Sequence, residues 1–506
     1  MQATERMTLA QRPVQDRIEA GAEAETSHGL TVRAVILGLL FTCLMDVWII
    51  YSDYSIRSSR FNLTHFPMAL LSIFLFLTFV ANPILKRVFL RWALSPQEIL
   101  VILAMGYTGA TIANLVNRHW YPFGRLFGRL NPEVNFYVIG FAYFANLDVL
   151  FSVWLFGALG FAQAGILNRI GYPIGGEGYD AADWECFGAL YVVVLWGLWM
   201  SRSHLKQVFW NAFRAGEDRG EELLSYRTAV VGFLLGLAFI LGWLYRAGMD
   251  LWVLLVFFPT LIVVYLGMTR FVVESGFVFA NAPVSEDDFI LTALGTENLS
   301  SATVTALAFE RSLYSYGKAL FTPALAHAAK LGDEIGGDRR KLFGAIGLTL
   351  AVGLALSIAL TLHLGYTTGA SNFDDTPMLR GLDGFYRAVS LIRNPEPPKW
   401  QQIGFLGVGA GLAVLLFSLR SYFPWWPINP IGLIVGGSYW AHFYLMSVFI
   451  AWFCKLVILK VGGAAFYQKF RPFFLGLLVG YALGILTMFF MDVIWFPGSG
   501  HMVHQW

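Results

Sequence analysis

Apolar residues along this chain gather into long unbroken runs separated by short polar breaks, rather than alternating with polar ones. In a helix, about 20 such residues at roughly 1.5 Å each cross a hydrocarbon core of about 30 Å. Eleven runs fit this reading: 31–51, 66–85, 98–116, 136–167, 187–200, 228–245, 251–280, 342–364, 403–419, 430–459 and 473–494. Those of about 30 residues are too long for one perpendicular helix, which predicts strong tilt, excess length or a break. The pattern therefore predicts an all-α fold, a polytopic integral membrane helical bundle of about 11 to 14 spans, some of them broken or re-entrant.

Basic residues add a constraint on topology. Lys86, Arg87 and Arg91 follow the second run, and Arg202, Lys206, Arg214, Arg219 and Arg227 follow the fifth. Simple alternation puts these loops on opposite sides of the membrane, against the cytoplasmic preference of Lys and Arg. One hidden re-entrant or extra segment between 117 and 179 brings them to the same side.

Between the runs the chain divides into four parts. Residues 1–30 form a solvated tail without the basic start and cleavage site of a signal peptide, so the run at 31–51 is expected to remain as a signal anchor. An N-terminal membrane half spans 31–280 and a C-terminal half 342–506. The connector at 281–341 differs in character. Its part at 291–309 is too polar to face lipid and reads as buried or re-entrant, and 313–331 repeats apolar or small residues at helical spacing with one polar face. The segment 366–400 is the longest plainly hydrophilic connection in the second half, ending in Asn394-Pro395-Glu396-Pro397-Pro398. Glycines four apart, Gly232 with Gly236 and Gly476 with Gly480 and Gly484, predict small-residue helix contacts.

Composition agrees with the pattern. Hydrophobic residues make up 57% of the 506 and charged residues 13%, with a mean hydropathy of +0.60. That excludes a disordered chain, a nucleic-acid binder with a basic footprint and a soluble enzyme of ordinary composition. Three scattered cysteines supply neither a disulfide framework nor a thiolate metal site.

Because ionisable groups are costly inside a bilayer, those within the runs are the functional candidates. Arg270 and Glu274 stand four apart on one helical face, able to pair; Glu274 is a candidate proton carrier and Arg270 a candidate anchor for a carboxylate, against the plainer reading of a structural ion pair. Ser275, Gly276 and Asn281-Ala282-Pro283 favour an unwound end after them. Asn146 and Asp148 form a second candidate pair without a basic partner nearby in sequence. In 421–437, prolines 424, 427 and 430 forbid a continuous helix, and Asn429-Pro430 is placed to start a half-helix of the kind that binds charge in secondary transporters. Asp46, Asp492 and His363 rank lower. The histidines form no metal set, no phosphate-binding loop or hydrolase motif is present, and no cofactor is expected.

Several stretches carry a resemblance: SSRFNLTHFPMAL (58–70), RWALSPQEILVILAMG (91–106), IGFAYFANLDVLFSVWLF (139–156), LLSYRTAVVGFLLGLAFILGWLYRAGM (223–249), LHLGYTTGASNF (362–373) and FPWWPINPIG (423–432) followed by KVGGAAFYQKFRPFFLGLLVG (460–480). They resemble a family of uncharacterised bacterial polytopic membrane proteins with tandem N- and C-terminal transmembrane domains of unknown function. The resemblance implies a multi-pass protein of the bacterial inner membrane. In length, span number and broken-helix pattern the chain is also distantly similar to the oligopeptide transporter superfamily, from which no binding residue carries over.

The leading expectation is a proton- or sodium-coupled secondary transporter of a small polar solute such as a peptide or amino acid. Its partners are then the lipid bilayer and the solute, with no nucleic acid. Two competitors are a membrane scaffold that docks partners in a larger complex or homo-oligomer, and an integral-membrane transferase using Asp46 and Asp53.

Overall fold

The computed structural model describes residues 134–171, 181–213, 224–277, 281–314, 321–335, 339–369, 375–438, 441 and 443–496, with isolated helical positions between 36 and 48. Among these residues there are fourteen helices and no strand. In chain order they are α1 (Phe136–Ala142), α2 (Leu147–Arg169), α3 (Ala181–Met200), α4 (Arg202–Phe213), α5 (Tyr226–Arg246), α6 (Leu251–Ser275) and α7 (Glu286–Leu294). There follow α8 (Ser301–Tyr314), α9 (Phe321–Ile335), α10 (Arg339–Leu364), α11 (Asp375–Arg393), α12 (Trp400–Tyr422), α13 (Pro430–Gly436) and α14 (Leu445–Trp495). Seven of them, α2, α3, α5, α6, α10, α12 and α14, are long and apolar enough to cross a membrane. Their outward faces present Leu235, Phe239 and Leu354 uncovered, as expected where the solvent is hydrocarbon. The chain is an all-α, multi-pass membrane protein.

Helix ends follow the local chemistry. Asn135 precedes α1 with extended backbone, and its side chain accepts hydrogen bonds from the amides of Tyr137 and Val138. Asn429 does the same for α13, accepting from Ile431, with Pro430 at the first helical position where its missing N–H costs nothing. At the other end of α6, Gly276 adopts the left-handed φ of 68° that stops the helix, just where the weakened sequence predicted an end.

The longest helix cannot be straight. Fifty-one residues would make a rod of about 77 Å, more than twice the hydrocarbon thickness, but Gly463 (φ 63°, ψ −159°) interrupts α14. Contacts with α1 give the directions of the two limbs. Asn135 bonds Ser447 and Ala145 bonds Lys455, so the first limb (445–462) runs parallel to α1. Tyr143 stacks on Tyr467 and Phe474, Gly140 abuts Phe474 and Leu478, and Tyr137 meets Tyr481, so the second limb (464–495) runs the opposite way. The two limbs form a hairpin that clasps α1 between them.

The apolar run at 136–167 likewise contains a reversal. Along α2, Phe151 meets Trp452, Trp154 meets Phe449 and Gly157 meets Leu445, so α2 runs antiparallel to the limb that α1 follows. The chain turns back at 143–146. The reversal falls within the interval 117–179 where an extra segment is expected; residues 52–133, with the first basic loop, lie outside the described residues. The run at 430–459 turns in the same manner, between α13 and α14.

The main core lies among α1, α2, α3, α6, α13 and α14, around Tyr143, Leu150, Trp184, Phe187, Val264, Phe271 and Tyr444. Glycine sets the closest approach. A Cβ on Gly409 of α12 would overlap the Glu185 carbonyl of α3, and one on Gly188 would overlap the Leu406 carbonyl in return. By contrast, Gly232 and Gly236 of α5 face open space, which corrects the expectation of a packing groove there; Gly476 and Gly480 are buried.

Two connections differ from expectation. The segment 366–400 contains α11, whose Ala388 packs on Val304 and Ala308 of α8, because small residues on one face of an otherwise polar helix suffice to seat it. The helical pattern at 313–331 divides between the end of α8 and α9, and 291–309 breaks at Gly295 (φ 71°) into the end of α7, a single 3-10 turn and α8.

These contacts yield a prediction about packing. Gly409→Ala should lower unfolding stability in detergent by about 1–3 kcal/mol through overpacking, whereas Gly236→Ala should change it by no more than about 0.5 kcal/mol or raise it slightly. Equal effects in thermal unfolding would contradict the close α3–α12 approach.

Candidate functional site at the interrupted helices

Two short helices, α1 and α13, are built alike. Each has seven residues, each is headed by a capping asparagine, and each is followed by a reversal into a long helix. The backbone N–H of Asn135 donates to Ser447 Oγ at 2.8 Å, and that of Asn429 donates to Ser152 Oγ at 2.7 Å. Ser152 lies 17 residues after Asn135 and Ser447 lies 18 after Asn429, so each serine sits at the matching place of its own unit while serving the other. Thus α1 packs along α14, α13 packs along α2, and the long helices cross in opposite directions through Trp154 and Phe449, ring centroids 5.2 Å apart. The result is a pair of equivalent units of opposite sense, 135–169 and 429–462.

Three chain interruptions meet beside this pair. Ala145, in the α1–α2 reversal, lies next to Gly276 at the end of α6, and Phe277 approaches Tyr444, which leads into α14, at 6.1 Å between rings. Into the first of these breaks Lys455 projects its ammonium group. Its Nζ donates to the Ala145 carbonyl at 2.6 Å and stands 5.0 Å from the ring of Tyr467 and 5.8 Å from that of Tyr143. At 7% exposure this is a cation enclosed within a membrane helix, stabilised by a carbonyl at a helix end and by aromatic faces. The hydroxyl of Tyr444, at the head of α14, is buried without a hydrogen-bond partner. Asn281, in the connection after α6, has neither side-chain polar atom satisfied.

The residues singled out from sequence fall in different places. Arg270 and Glu274 do pair, Nε to Oε1 at 2.6 Å, and Arg270 also donates to the Val193 carbonyl at 3.1 Å. Both are about one third exposed. Asp148 is half exposed, 3.9 Å from Arg420 of α12, so it has the basic partner that its own helix lacks. Asn146 is exposed at the start of α2. The hydroxyl of Ser152 donates to the Asp148 carbonyl while accepting from Asn429, which links Asp148 and Asn429 through one side chain. No hydrogen bond or ion pair among the described residues joins that group to Arg270 and Glu274. Asp492 is fully buried within α14, and His363 is exposed near the end of α10. Asp46 and Asp53 lie outside the described residues.

Sequence reasoning passed over Lys455, although it stands in the apolar run FIAWFCKLVILK and the rule that picked Glu274 applies to it equally. It also passed over Glu286, Asp287 and Asp288, which were placed in a connector yet are all buried.

A family model covers residues 24–120 and 115–503. The chain belongs to a family of unknown function, DUF6785. Membership thus extends over nearly the whole chain, both inverted units included, and brings no activity with it. No curated protein and no solved structure matches the chain at a significant level.

If the two serines are equivalent, their removal should be equivalent too. Ser152→Ala and Ser447→Ala should each destabilise the protein by about 1–3 kcal/mol, because each leaves an enclosed Asn N–H unpaired. Ser418→Ala on the exposed part of α12 should cost under about 0.5 kcal/mol. Thermal unfolding in detergent checks all three, and a loss confined to one of the two serines would contradict their equivalence.

Proposed function

We propose that this protein is a secondary active transporter of a small polar solute bearing a carboxylate, such as an amino acid or short peptide. The observation that carries this reading is the pair of asparagine-capped half-helices, opposite in sense and cross-bonded to each other's long helices. Inverted units with interrupted helices are the common build of secondary transporters, for a physical reason. A helix broken inside a membrane exposes N–H and C=O groups that bind charge without placing many ionised side chains in lipid. Two units of opposite sense also let the same structure open to either side by rocking.

On this reading Lys455 is the fixed charge that meets the solute's carboxylate beside the α1–α2 break. Arg270, paired with Glu274 on its own helix, ties α6 to the Val193 carbonyl of α3, and Asp148–Arg420 ties α2 to α12; these interhelical contacts exchange as the units move. The likeness in length and broken-helix pattern to the oligopeptide transporter superfamily points toward the same class of solute, and the resemblance to bacterial membrane proteins toward the cytoplasmic membrane.

The test is reconstitution of the full chain in liposomes with an imposed proton or sodium gradient and a panel of labelled amino acids, dipeptides and tripeptides. At least one should accumulate only when the gradient is present. Lys455→Gln should cut that uptake about tenfold or more, the worth of one charge-assisted hydrogen bond, while Asp148→Asn retains most of it. Absence of gradient-dependent uptake across the panel, or full uptake by Lys455→Gln, would overturn the assignment.

A further inference from the structure

A second enclosed group of charges lies on the other side of α6, where the connector folds back into the bundle. Phe289 of α7 packs against Phe187 and Tyr191 at the middle of α3, with centroids 5.5 and 5.8 Å apart. The Tyr191 hydroxyl in turn lies 2.7 Å from Thr260 Oγ1, well inside α6. The first turn of α7 therefore sits at about half the depth of two spans. Glu286 is three residues before Phe289 and shares its face.

Among the described residues the charges here do not balance. Arg311 of α8 donates from Nη1 to Asp287 at 2.9 Å and to Asp288 at 2.8 Å, and Arg387 of α11 pairs with Asp288 from the other side. Ser285 adds a hydrogen bond to Asp288 at 2.8 Å. Both guanidinium groups bond the aspartates directly. Two carboxyls are left over, Glu286 and Glu310. Glu286 has no exposed surface, and neither of its oxygens has a hydrogen-bond partner on another residue; Glu310 is half-buried, with its Oε2 enclosed and unpartnered. Each lies within electrostatic reach of the other. An ionised carboxylate so enclosed costs several kcal/mol unless something neutralises it.

We infer that Glu286 and Glu310 form a proton-binding site of this protein, taking up and releasing a proton at the centre of the bundle as the coupling ion of the transport reaction. A proton fits where larger ions do not, because no water-sized space touches Glu286. Uptake converts one carboxylate to a carboxylic acid and release restores it, with no other bond changed. The direction of titration agrees with the geometry. Burial, against the pull of its own backbone N–H, and then the charges of Asp287 and Asp288 push Glu286 up to about 8. Burial and the Glu286 charge push Glu310 up as well. The guanidinium groups of Arg387 and Arg311 hold Asp288 down at about 2 despite its burial, and burial together with Asp288 raises Asp287 against the pull of Arg311. The other titratable groups facing Glu286 are the phenols of Tyr191 on α3 and Tyr265 on α6. Beyond the far end of α7, Lys399 and Glu396 pair with each other at 2.7 Å.

The assignment of the coupling ion rests on the transport reading, but the binding site itself is testable without any solute. The full chain in lipid nanodiscs is titrated in sodium-free and sodium-containing buffer while the carboxylic-acid C=O band is followed by infrared difference spectroscopy, with thermal unfolding measured in parallel. A carboxyl whose folded-state pKa lies above its unfolded value makes the native state hold the extra proton, so the contribution of Glu286 to stability is full below its ordinary carboxyl range and is lost as pH rises through about 8. The band should fade over the same range, Glu286→Gln should remove that titration and flatten the stability profile, and Glu310→Gln should shift it to lower pH. A wild-type protein with no carboxyl titrating between about pH 6 and 9, or a titration unchanged in both variants, would overturn the proton site. Stabilisation by sodium with no dependence on pH would overturn it in favour of a metal cation. Should the titration follow prediction while no solute moves, the proton site stands and the transport reading falls.

Discussion

Everything in this structure depends on how broken helices satisfy their backbone in a medium that offers no water. A helix interrupted within a bilayer leaves amide and carbonyl groups that cost several kcal/mol each unless the protein itself meets them. Here the solution is reciprocal. Asn135 and Asn429 cap their own short helices with side chains and hand their backbone N–H groups to serines on each other's long helices. On the carbonyl side, the Lys455 ammonium takes up Ala145. Neither unit is complete alone, so the two inverted halves are held together by the same bonds that make each break tolerable.

Packing around the pair serves the same constraint. Helices without a hydrophobic force between them associate through close backbone approach, and the bundle uses glycine where that approach is tightest. Gly432 and Gly436 let α13 sit on Ser152, Val153 and Phe156 of α2, and Gly409 with Gly188 brings α12 onto α3. The glycines of α5 have no such neighbour and face outward with Phe239 and Leu235. Small-residue spacing alone therefore does not identify a contact face; what lies opposite decides. Away from the pair, the connector places four carboxyls and two arginines among α7, α8 and α11, a concentration of charge that is tolerable only because most of it is mutually paired.

Much of the fold was legible in the sequence because apolar runs of membrane length have few alternatives. The α6 end at Gly276 and the α13 start at Asn429-Pro430 were legible too, since left-handed glycine and N-terminal proline have fixed local meanings. The reversal at 143–146 was not, because Tyr143, Phe144 and Ala145 continue the apolar run and leave Asn146 as a lone turn-favouring residue. Nor was the hairpin at Gly463, one glycine among 51. The candidate residues fared unevenly for a related reason. Spacing of four correctly pairs Arg270 with Glu274, but it says nothing of Arg420 reaching Asp148 or of Lys455 reaching Ala145 across some 310 residues. Glu286 escaped notice because local polarity marks a connector, and only tertiary contact with α3 shows that this connector lies inside.

The clasp of α1 by the two limbs of α14 stands or falls on whether α14 folds back at Gly463. In a cysteine-free background, with Cys43, Cys186 and Cys454 replaced, spin labels at Met446 and Leu483 give the distance between the two limbs by pulsed electron paramagnetic resonance. Both positions flank the start of α1, so the account predicts a separation of about 15–25 Å, the width of one to two helices. A continuous α14 would separate them by about 55 Å, and that result would contradict it.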